Sequence, residues 1–137
     1  MDPQFTFAYL NLGMARAQQN RLDEAIEAIQ QAQTHSGGGL TFKAHLGYAF
    51  ALAGRRDEAE RILTELKEVT QQRYVPSYYF AIINLGLGET DQAFACLESA
   101  YRERLGFMAF IKVEPMLDPL RSDPRFADLE RRIGLIS

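Results

Sequence analysis

The chain has 137 residues, 47% of them apolar and 24% charged, which is enough to bury a core and too apolar for a disordered tail. A net charge of −3 and a pI near 5.4 argue against the clustered basic footprint of a nucleic-acid surface. One cysteine, Cys96, excludes an internal disulfide; no apolar run approaches the length of a membrane span, and Met1-Asp-Pro-Gln lacks the pattern of a signal peptide, so a cytoplasmic chain is expected.

The first predicted helix opens at Asp2-Pro3, with Asp as cap and Pro at the first helical position, and runs to about Gln19. It is apolar over two faces, Tyr9, Leu12, Gly13 and Arg16 forming one stripe and Phe7, Leu10, Met14 and Ala17 another. Its partner runs from about Leu22 to Thr34, turning Ala25, Ile29 and Ala32 inward, and Gly37-Gly38-Gly39 breaks the helix. A second pair is expected at about Thr41 to Ala53 and Arg56 to Gln71. Between them Gly54 is suited to the left-handed conformation that ends a helix, and Asp57 and Glu58 lie where the helix dipole favours negative charge. The third pair begins at Val75-Pro76, reaches about Leu87 before Gly88, and resumes from Thr90 to Arg104 before Gly106.

The remainder reads differently. Phe107 to Val113 is a strongly apolar helical turn or two, Glu114-Pro115 and Asp118-Pro119 predict extended turns, and Asp123-Pro124 caps a last helix to about Ile133. This tail is expected to cover the last repeat helix around Phe94, Leu97 and Tyr101.

The helix pairs are in register. Asp23, Asp57 and Asp91 recur every 34 residues, as do Ala25, Ala59 and Ala93, and Leu12-Gly13, Leu46-Gly47 and Phe80-Ala81. This spacing resembles the tetratricopeptide repeat, over about residues 6 to 107. The resemblance implies an all-α, right-handed solenoid of three helix-turn-helix repeats in a single domain 1–137, with repeats at about 6–39, 40–73 and 74–107 and a capping segment at 108–137. Arg16 and Asn84 depart from the family pattern where a large aromatic is usual, and Lys43 and Ser77 do so near the repeat starts. The tail, from Asp91-Gln-Ala-Phe through Asp118-Pro-Leu-Arg-Ser-Asp-Pro-Arg-Phe, also resembles the C-terminal repeat segment of bacterial multidomain signalling proteins.

No catalytic constellation emerges. The acidic corner at Asp57 repeats at Asp23 and Asp91 without a His beside it, His35 and His45 lack companions at metal-ligand spacing, and the glycine run lacks the Lys-Ser/Thr of a phosphate loop. Cys96 reads as a buried, inert thiol. Arg121, Arg125, Arg131 and Arg132 alternate with acids as a solvated face. No enzyme activity, cofactor or metal is expected.

The resemblance implies a protein-interaction scaffold whose first helices line an inner face. On that face stand Phe7, Leu10, Met14 and Ala17, then Ala44, Tyr48 and Ala51, then Val75, Tyr78, Ile82 and Leu85. Relatives that clamp acidic C-termini carry Lys, Arg and Asn there, so no such clamp is expected. Two readings stand: an open apolar groove that takes a helix, an extended peptide or a second copy of the chain, with Tyr48 and Tyr78 as anchors, or a face covered by the chain's own ends. The expected partner is a protein or peptide, including a homodimer, and not nucleic acid, membrane or a small-molecule cofactor. The alternative function is a C-terminal regulatory appendage of a larger bacterial signalling enzyme or transcription regulator.

Overall fold

Three aligned left-handed residues set the frame of the computed structural model, which describes residues 3–37, 39–103 and 114–136. Asn20, Gly54 and Gly88 take φ of 60°, 79° and 78°. Behind them the amides of Arg21, Arg55 and Glu89 bond back to the carbonyls of Arg16, Phe50 and Asn84, each at 2.9 Å. This is the long backward bond that satisfies orphan carbonyls at a helix end. It reverses the chain in the same way in each pair: α1 (Pro3–Gln18) with α2 (Leu22–Ser36), α3 (Leu40–Leu52) with α4 (Arg56–Val69), and α5 (Ser77–Gly86) with α6 (Thr90–Arg102). Among the described residues there are helices and no strands, so the chain is an all-α helical repeat, with α3 packed on both α2 and α5.

Small residues let these helices touch. A Cβ on Gly13 would stand 2.5 Å from Ile29 Cγ1, and one on Gly47 would stand 2.9 Å from Ile83 Cδ1. Ala25, Ile29, Ala32, Ala59, Leu66 and Leu97 are fully buried on the second helices. The ends of these six helices lie within about two residues of the expected positions; α2 continues to Ser36 before Gly37 terminates it at φ 77°.

The two departures near the repeat starts have a physical account. Tyr9 stacks on His35 with ring centroids 5.6 Å apart. In the next pair Lys43 forms an ion pair with Glu65. In the third, the Ser77 hydroxyl and amide both donate to Glu103. A polar tie between first and second helix thus replaces an aromatic one.

The tail corrects one expectation. Glu114 is extended, as a residue before proline should be, but Pro115–Leu120 then forms a 3-10 helix with Pro119 inside it. The Glu114 carboxylate accepts from the Met116 amide at 3.2 Å, and Arg121 donates to the Glu114 carbonyl at 2.9 Å. These bonds close the turn locally, and Pro119 loses no ladder partner in so short an element. The last helix, α7 (Pro124–Ile136), is capped by Asp123, whose carboxylate accepts from the Arg125 amide at 2.9 Å. The expected cap Asp2, the break at Gly106 and the apolar stretch 107–113 lie outside the described residues.

Candidate protein-binding face

The inner-face residues divide sharply. Leu10, Ala17, Ala44, Tyr48, Ala51, Val75, Tyr78 and Ile82 are buried, Met14 and Leu85 are half-buried, and Phe7 is exposed at 52%. Of the two readings, burial over α3 and α5 is that of a face the chain covers itself. Two contacts do this. The backbones of α3 and α5 approach closely, so that a Cβ on Gly86 would lie 2.9 Å from Ala51 Cβ and 3.0 Å from the Tyr48 carbonyl oxygen. The 3-10 helix then packs on α5 and buries Met116, Leu117 and Leu120 at 3% exposure or less.

Electrostatics place the same segment beside the tyrosines. Burial pushes the Tyr48 phenol up to about 12, with the nearby carboxylates of Glu114 and Asp118 adding to the shift. Tyr78 is raised by burial, then by Glu114 and by Tyr48. Both phenols stay neutral through the physiological range. Also on α3, His45 donates from Nδ1 to the Thr41 carbonyl at 2.7 Å, and burial lowers its pKa against that bond.

The tail divides between two helices instead of resting wholly on α6. Whereas the 3-10 helix reaches α5, α7 lies on α6 with Phe126 and Leu129 fully buried and Ile133 at 6%. Arg125 bridges to Asp91 at 2.9 Å and stands 4.3 Å over the Phe94 ring; Arg132 pairs with Glu98 and stands 5.1 Å over the Tyr101 ring. Two of the four arginines read as a solvated face, Arg125 and Arg132, therefore tie α7 to α6, and Arg132 keeps the Glu98 carboxyl below its ordinary value. Phe107, Phe110 and Ile111, also expected in this contact, lie outside the described residues.

Sequence reasoning missed Gly86 and the reach of Met116. Gly86 carries no helix-breaking context, and a single methionine between prolines has no periodicity to reveal its target.

Cys96 is half-buried, and burial raises its thiol pKa against the opposing charge of Lys67, away from a nucleophile's range. Among the described residues no group of three or more His, Cys, Asp or Glu could hold a metal ion, and no helix is long and apolar enough to cross a membrane.

Residues 8–34, which span most of α1 and α2, match the tetratricopeptide repeat family. Neither the curated proteins nor the solved structures give a match.

Proposed function

We infer that this chain, which is a tetratricopeptide-repeat protein, is an interaction module whose inner face binds an apolar peptide in competition with its own tail. Protein interaction is the general role of the repeat. The observation that carries the finer reading is the seating of Met116, Leu117 and Leu120 against α5, beside Tyr48 and Tyr78. A short segment with a few apolar side chains and flanking carboxylates already fills this face, and it serves as an internal example of the ligand. The binding residues proposed are Phe7, Leu10 and Met14 on α1, Ala44, Tyr48 and Ala51 on α3, and Tyr78, Ile82 and Leu85 on α5. Phe7 and the half-buried Met14 are the accessible start of the path. The side of α5 that the 3-10 helix packs on becomes available as the tail lifts away.

The test is selection of displayed peptides on the full chain and on a Leu117→Ser, Leu120→Ser variant, in which the tail is loosened. Peptides for the inner face should bind the variant at least about tenfold more tightly, or about 1.4 kcal/mol. They should also slow hydrogen exchange in α3 and α5. Peptides that bind both forms equally and leave α3 and α5 unprotected would refute the assignment.

A further inference from the structure

The segment that lies on α5 carries a pattern of its own. Along the 3-10 helix Met116, Leu117 and Leu120 are buried, whereas Pro115, Asp118 and Pro119 are exposed. The buried positions are thus i, i+1 and i+4, and Leu117 and Leu120, three residues apart, stand one above the other on such a turn. In an extended strand the neighbours Met116 and Leu117 would point to opposite sides, and one of them would be lost to solvent.

The bonds that close this turn lie within the same eight residues. The Glu114 carboxylate accepts from the Met116 amide at 3.2 Å, and the Glu114 carbonyl accepts from the Leu117 amide at 3.1 Å. At the far end the Asp118 carbonyl accepts from the Arg121 amide at 3.1 Å and its carboxylate from the Arg121 guanidinium at 2.7 Å, while that guanidinium also donates to the Glu114 carbonyl at 2.9 Å. Pro115 opens the turn and Pro119 lies inside it, each with φ fixed by its ring. Because both prolines face outward, their use is to leave the segment fewer conformations to lose when it seats. Residues 114–121 therefore bring their own shape and polar partners, and need an apolar bed for three side chains.

On the inner-face function inferred above, we propose that the ligand is a turn-forming, proline-containing peptide, apolar at i, i+1 and i+4, which takes the place of Met116, Leu117 and Leu120 on α5. A strand-like peptide, or a helix with a long apolar stripe, does not present this set.

The probe is a synthetic peptide of residues 114–121, labelled and titrated into the full chain carrying Leu117→Ser and Leu120→Ser, whose own segment no longer seats. It should bind the variant at least about tenfold more tightly than the unaltered chain, and slow hydrogen exchange in α5. A peptide of the same composition with its apolar residues moved off i, i+1 and i+4 should bind at least about tenfold more weakly. One with Pro115→Ala and Pro119→Ala should lose about four- to thirtyfold, the effect of restoring the freedom that two prolines remove. If the doubly substituted chain loses its helical spectrum, Met116→Ser takes its place. A parent peptide that does not bind at about 1 mM overturns the proposal, as do rearranged or proline-free peptides that bind as tightly as the parent. Displayed peptides of another pattern that still slow exchange in α3 and α5 would then keep the broader inner-face function, so the two readings fail separately.

Discussion

Gly86→Ala isolates the closest approach between the second and third repeats. The added methyl group would lie 2.9 Å from Ala51 Cβ and 3.0 Å from the Tyr48 carbonyl oxygen. Neither can rotate away, since one is a Cβ and the other is backbone, so α3 and α5 must part by several tenths of an ångström. Overpacking of this kind typically costs about 1 to 3 kcal/mol. The gain in helix propensity works against it, at about 0.5 to 1 kcal/mol for Gly to Ala. Gly134→Ala supplies the reference. A Cβ there meets nothing within 4 Å, and Gly134, like Gly86, stands near the end of its helix. The propensity terms then cancel to first order, leaving Gly86→Ala about 1 to 3 kcal/mol less stable than Gly134→Ala. Urea unfolding followed by circular dichroism measures the difference, with the denaturant slope unchanged. If Gly86→Ala proved as stable as Gly134→Ala, the helices would not be in contact at that point, and the account of how Ala51 and Tyr48 are covered would fail.

Arg132→Met should cost about 1 kcal/mol at neutral pH, because the ion pair with Glu98 is only partly buried. Arg132 depresses the Glu98 pKa, so this contribution is present above the ordinary value of 4.5 and fades as pH falls through the lower folded value. Unfolding curves that stay separated in strong acid would contradict it. Tyr48 has the opposite sign: its folded pKa is raised, so its contribution is complete below pH 10 and is lost between there and about 12. Tyr48→Phe should remove about 3 kcal/mol of that alkaline decline. An identical decline in both proteins would show that Tyr48 is not shielded as described.

Local chemistry was legible wherever a residue type has one physical use. Gly54 announced its left-handed turn, Asp123-Pro124 announced a helix start, and the Ala and Gly columns announced close helix contacts. The extended Glu114 also followed from the proline after it, whereas the 3-10 helix around Pro119 depended on a carboxylate and a guanidinium closing it from outside. The inner face was legible as apolar, but whether it stands open or covered was not. Apolar spacing reports that a side chain will be covered, not by what: Tyr48 meets Gly86 of α5, in the next repeat. Leu12 stood in a stripe with Tyr9, Gly13 and Arg16, and its exposure at 42% was not legible in that periodicity.

A tail covalently joined to the array it covers behaves as a tethered competitor. On the function proposed above, its local concentration is fixed by covalent linkage and does not change with expression level or dilution. On that proposal a free peptide must exceed the standing occupancy before it gains the face, so weak, abundant apolar segments would be held off while a ligand of higher intrinsic affinity would get through. The threshold can be moved without touching the face at all. A change that loosens α7 from α6, at Arg125 or Arg132, weakens the hold of the linked 3-10 helix and lets a given ligand bind at lower concentration.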